Sequence, residues 1–185
     1  EVRYSILGED VPAGICGSGI IDAVCVFVRL GLIDDTGRID EEQESYARYG
    51  TEFGGFPALK IGDSGVLITQ QDIRKLQLAK SAVAAGISTL LHESGCEMEE
   101  VEALYLAGGF GTYISVESAV GIGLFPAELK EKVRSIGNGA GAGASILLLD
   151  RDAEKQEKAV REAAQEVNLS SNPVFMDHYV EQMMF

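Results

Sequence analysis

The stretch Leu104-Tyr105-Leu106-Ala107-Gly108-Gly109-Phe110-Gly111-Thr112 constrains the fold of this chain more than any other. The apolar run over 101–107 has the length of a strand and ends on paired glycines, which predicts a buried strand that bends sharply at its carboxyl end. Without Cβ atoms in the way, a backbone can come close to a ligand there. The carboxyl ends of strands are also where open α/β sheets bind their ligands. A plain tight turn is the other reading of the same residues. The spacing matches neither G-x-G-x-x-G nor G-x-x-x-x-G-K-[ST], which sets aside the Rossmann and P-loop fingerprints.

The segments on either side alternate between helix and strand signals. An apolar run from Ile20 to Leu30, entered through Gly17-Ser18-Gly19 and stopped at Gly31, predicts a buried helix with Ser18 near its N-cap. Residues 34–56 are polar and acidic and read as a surface excursion. Strands over 58–61 and 66–68, joined by Gly62-Asp63-Ser64-Gly65, complete a hairpin, so 34–71 forms one excursion-plus-hairpin unit. Thr69, with Asp72 in the first turn, caps a long helix that ends near Gly95. Ile73, Leu76, Val83, Ile87 and Leu90 share one helical stripe and predict its buried face. Lys80 lies on that stripe, so its stem is half buried and its amine must snorkel or pair, with a phosphate, a ribose or an acidic partner.

Downstream, Ser115 caps a short helix over 116–122, and a strand over 133–136 enters Gly137-Asn138-Gly139-Ala140-Gly141-Ala142-Gly143-Ala144. That run continues as a helix to Leu149. Gly139 and Gly143 are four residues apart on one face. Glycine in a helix costs about 1 kcal/mol relative to alanine, so such a face predicts a second helix lying close against it, as tight internal packing or as a hinge. A charged helix over 150–166 and an aromatic end over 172–185 follow. The alternation predicts an α/β fold with a mixed sheet.

Net charge excludes some functions. With 15 Lys+Arg against 29 Asp+Glu the chain carries -14, and no basic cluster offers a nucleic acid its counter-charge. No apolar run reaches membrane-spanning length. Cys16, Cys25 and Cys96 are odd in number, with no CxxC pair, and His92 and His178 are far apart. This predicts reduced thiols, a cytoplasmic location and no metal site within the chain. Cys16-Gly17-Ser18-Gly19 opens a helix and could present N–H groups to an anion, although a lone cysteine is more often a small packed residue. Asp22, one turn on, reads as a solvated or capping carboxylate. No residue here is assigned a catalytic role.

Several of these blocks together resemble a known family. Cys16-Gly17-Ser18-Gly19-Ile20-Ile21-Asp22-Ala23, Ile68-Thr69-Gln70-Gln71-Asp72-Ile73 with Gln77-Leu78-Ala79-Lys80, the Leu106–Gly111 turn and the 137–144 run occur in the order found in the C-terminal part of the reductive activators of corrinoid-dependent enzymes. The ending from Asn172-Pro173-Val174-Phe175-Met176-Asp177 to Phe185 is similar to that family's own. The resemblance covers nearly the whole chain. It implies the actin-like, ribonuclease H-like ATPase fold of the acetate kinase, sugar kinase, heat-shock chaperone and actin superfamily, with 1–185 as the C-terminal lobe of the ATPase core. Gly108, Gly109, Phe110, Gly111 and Thr112 then match the adenosine motif, with Gln77, Lys80 and Asn138 as further nucleotide contacts. Gly139 and Gly143 fall on the second connecting helix, at a hinge between lobes.

For the full-length protein the resemblance implies ATP or ADP with Mg2+, and a [2Fe–2S] centre in a ferredoxin-like part outside this chain. ATP turnover there accompanies the return of a Co(II) corrinoid to Co(I). The implied partner is a corrinoid protein or corrinoid-dependent methyltransferase, a homodimer is admitted, and neither nucleic acid nor membrane is expected. The two Asp-plus-glycine-threonine phosphate loops of the superfamily are missing from 1–185, as is any cysteine cluster. The expectation is therefore a fragment that lacks turnover by itself. Two alternatives remain: a lobe of a sugar or acyl kinase, and a non-catalytic module that docks a corrinoid protein through the acidic 40–56 segment and the C-terminal helix.

Overall fold

Ile21, Val24, Cys25 and Phe27, at positions i, i+3, i+4 and i+6, give the first helix a buried face and make α1 (Gly17–Arg29) one wall of the core in this computed structural model, which describes residues 2–6, 8 and 11–185. The chain leaves α1 through Gly31, whose φ of 70° is the left-handed turn that glycine permits. The N-cap is Cys16 and not Ser18. The backbone is still extended at Cys16, and its Sγ accepts the Gly19 N–H at 3.4 Å.

The 34–56 segment is more than a surface excursion. It contains α2 (Tyr46–Tyr49) and β1 (Gly50–Phe53), and it sends Ile39 and Tyr49 into the core. The Tyr49 ring packs 6.4 Å from that of Phe27. Its acidic side chains masked two buried positions, because polarity averaged over a segment hides single anchors. β1 pairs antiparallel with β2 (Phe56–Lys60), which pairs antiparallel with β3 (Leu67–Thr69). The expected hairpin is thus the β2–β3 pair, with β1 added on the other side of β2.

Thr69 closes a reciprocal capping box with Asp72 and starts α3 (Gln70–Ser94), which ends on left-handed Gly95 as expected. Its buried face differs from the expected stripe. Ile73 and Leu76 are buried, but Val83 and Leu90 are exposed, and Gln77, Lys80, Ser81, Ala84, Ala85 and Thr89 face inward. The cause is α8 (Pro173–Glu181), which lies along α3 together with the residues after it. Gln77 Nε2 donates to the Thr36 and Met183 carbonyls at 2.9 and 3.0 Å, and Ser81 Oγ donates to the Tyr179 carbonyl at 3.0 Å. Lys80 Nζ donates to the Met184 carbonyl and lies 5.7 Å from the centre of the Phe185 ring. Hydropathy alone cannot select a polar stripe that is satisfied by a segment a hundred residues away.

Between these elements run β4 (Leu104–Ala107), α4 (Gly108–Tyr113), α5 (Val116–Gly121, capped by Ser115), β5 (Val133–Gly137), α6 (Gly139–Leu149) and α7 (Ala153–Ala163). β4 and β5 are parallel, and among the described residues they form a sheet separate from β1–β3. β4 is shorter than expected and only partly covered, with Tyr105 exposed. None of the α6 residues is buried, and Leu148 and Leu149 are 84% and 82% exposed. The helix expected against the Gly139 and Gly143 face is therefore not found among the described residues.

Candidate functional site

The register of the parallel pair sets Ala107 beside Gly137, so both strands end together and both run into a helix at the same edge. On one side, Gly108 takes φ +87°, a conformation that side chains disfavour, and the sharp bend expected there opens directly into α4. Gly111 permits a second close approach: a Cβ on it would lie 2.8 Å from Leu106 Cβ. Thr112 Oγ1 donates back to the Gly108 carbonyl at 3.0 Å. On the other side, Asn138 caps α6 by accepting the Gly141 N–H at 2.9 Å, and a Cβ on Gly139 would reach 3.6 Å from that of Ala107. The structure thus brings the 108–112 turn, Asn138 and Gly139 to one sheet edge. Gly143 has open space around it.

Across from this edge stands the amino end of α1. Gly17 lies against the Phe110 ring so closely that a Cβ would come within 3.1 Å of it. Between them is a cleft of ≈ 640 Å³, lined by Cys16, Ser18, Asp22, Gly109, Phe110 and Tyr113 among others. That volume suits a small-molecule ligand. Gly109 opens into free space, with nothing within 4 Å of where its Cβ would be. The α1 amino end offers N–H groups and the positive end of a 13-residue helix.

The Cys16 thiol is exposed on this cleft. A hydrogen bond from Ser18 Oγ, then the Gly19 N–H, holds its pKa below the ordinary thiol value. Asp22 is half-buried and does not cap α1, whose N-cap is Cys16. Its Oδ1 is buried, and among the described residues it has no hydrogen-bond partner.

Two expected contacts lie elsewhere. Gln77 lines a different recess, with Arg38, Arg74, Phe53 and Phe56, and its amide is taken up by Thr36 and Met183. Lys80 is 1% exposed and its ammonium is held by the Met184 carbonyl. Both hold down the 173–185 segment and lie outside the cleft. Sequence reasoning does not join Cys16, Ser18 and Asp22 to the turn. The signal was present as glycines at a helix start, but nothing local says which strand that helix faces. No group of three or more metal-ligating side chains occurs among the described residues, and no helix there is long and apolar enough to cross a membrane.

Over residues 1–185 the chain matches the family described as "C-terminal domain of RACo the ASKHA domain". The chain belongs to that family. This ASKHA domain is 35% identical to the corrinoid activation enzyme RamQ of Eubacterium limosum, over all of the chain and 33% of that protein. It is 27% identical to the [Co(II) methylated amine-specific corrinoid protein] reductase of Methanosarcina barkeri, over all of the chain and 31% of that protein. A solved reductive activator for corrinoid, iron–sulfur protein superposes with a TM-score of 0.82 and 32% identity, covering 94% of the chain and 28% of the solved one. The ASKHA domain thus spans about a third of the length of the curated relatives it matches. The actin-like ATPase fold expected from the sequence is the fold of this family.

Proposed function

We propose that this ASKHA domain is the adenosine-gripping half of an ATP-dependent activator that returns Co(II) corrinoid proteins to Co(I). The observation that carries the reading is the cleft itself, where the Gly108–Thr112 turn faces the amino end of α1. The turn leaves backbone free for a nucleoside, and the helix end favours phosphate. Gly109, Phe110 and the α1 amino end are the contacts we assign, with Asn138 and Gly139 shaping the edge beside them. ATP or ADP binds with Mg2+, which neutralises phosphate charge.

Residues 1–185 then form one lobe of the ATPase core. The exposed apolar residues of α6, Ile146 to Leu149, make its last turn the part that meets the other lobe at the hinge carried by Gly139 and Gly143. Closure of two lobes on nucleotide changes which state of a partner is bound best. That is the means by which ATP turnover favours electron delivery from a [2Fe–2S] centre, carried outside this chain, to the Co(II) of a corrinoid protein in the cytoplasm. The names of the relatives support an activator over a sugar or acyl kinase lobe.

Calorimetric titration of ADP into the full-length protein and its Gly109→Arg variant tests the reading. The open space at Gly109 lets the variant fold, while the long side chain fills the cleft. Affinity should fall by at least about tenfold. Equal affinities would remove this turn from the nucleotide site.

A further inference from the structure

A carboxylate oxygen buried without a partner is costly, and a folded chain keeps one where something outside it supplies the missing charge or donor. Asp22 Oδ1 is such an atom, the only one among the described buried side-chain nitrogens and oxygens. Asp22 lines the cleft, four residues and so one helical turn after Ser18, which lines it too. The rest of that wall comes from Cys16, Gly17 and Gly19 on α1 and from Gly109, Phe110 and Tyr113 opposite, with Arg3 and Ser5 at the edge. None of these besides Asp22 is a carboxylate.

One carboxylate beside a phosphate-binding helix end suits Mg2+. This ion keeps several waters and is commonly held by one or two carboxylates together with the phosphates of its nucleotide. It needs no cluster of protein ligands, which agrees with the absence of one among the described residues. We infer that Asp22 is the carboxylate this lobe contributes to the Mg2+ of a bound nucleotide, directly or through one of the ion's waters. The inference rests on the nucleotide reading of the cleft. It adds a residue that lies outside the glycine turn and outside the Asp-plus-glycine-threonine loops expected elsewhere in a longer protein.

The test is ADP affinity of the full-length protein with and without Mg2+, for the native sequence and for Asp22→Asn, alongside thermal melts of both without ligand. Asparagine keeps the shape and removes the charge from a side chain whose Oδ1 has no partner, so the unliganded variant should melt no lower than the native protein. Its Mg2+-free ADP affinity should stay within about twofold of the native value, while most of a roughly tenfold or larger gain on adding Mg2+ disappears. The same Mg2+ gain in both proteins overturns the inference. So does a clearly lower melting temperature of the unliganded variant, since Asp22 would then have a structural partner. If the native protein binds no ADP under either condition, the nucleotide reading fails first and this inference with it.

Discussion

Gly17 and Phe110, ninety-three positions apart, pack so closely that a single methyl on Gly17 would sit 3.1 Å from the ring. The contact joins the amino end of α1 to the start of α4 and sets the width of the cleft between them. Gly17→Ala should change stability by no more than about 1 kcal/mol, since better helix propensity offsets the crowding. The Phe110 ring must still move, so ADP should bind several-fold more weakly while the melting temperature shifts by no more than a few degrees. Unaltered ADP affinity would mean that the ring does not border the ligand.

Cys16 gives a chemical view of the same cleft. Its pKa is lowered by Ser18 and the Gly19 N–H, whereas burial raises that of Cys25. Thiolate is the reactive form, so at neutral pH iodoacetamide should label Cys16 well before Cys25. ADP should slow labelling of Cys16 and leave Cys96 unaffected. Mass spectrometry of timed digests reads both outcomes.

Lys80 tests how the 173–185 segment is held. Burial lowers its pKa from 10.5, so the unfolded chain holds more protons than the folded one between the lowered value and 10.5. Stability contributed by this group therefore rises with pH across that window. Denaturant melts should show the native protein gaining on Lys80→Met as pH climbs toward 10.5. Parallel pH profiles would contradict a buried, desolvated ammonium.

Much of this was legible in the sequence because the signals are local. The Thr69 cap with Asp72 in the first turn, the helix end near Gly95, the Ser115 cap and the strand into Gly108 each follow from a few adjacent residues, and each is present. What could not be read depends on remote packing. Gln77, Lys80 and Ser81 donate to the Thr36 carbonyl and to carbonyls of 179–184, and without that packing in view Gln77 and Lys80 read as ligand contacts. The buried anchors Ile39 and Tyr49 sit in an acidic stretch whose average polarity concealed them. Half of the cleft was seen as a glycine turn. The other half is a helix end whose place opposite Phe110 is fixed by the tertiary fold alone.

The most direct test of the central claim is hydrogen exchange of the full-length protein with and without ADP and Mg2+, followed by peptide mapping. Exchange should slow in peptides covering 14–20 and 108–113, with little change over 70–81, where Gln77 and Lys80 are already bonded to the chain. Protection confined to 70–81, with none at 14–20 or 108–113, would contradict that claim.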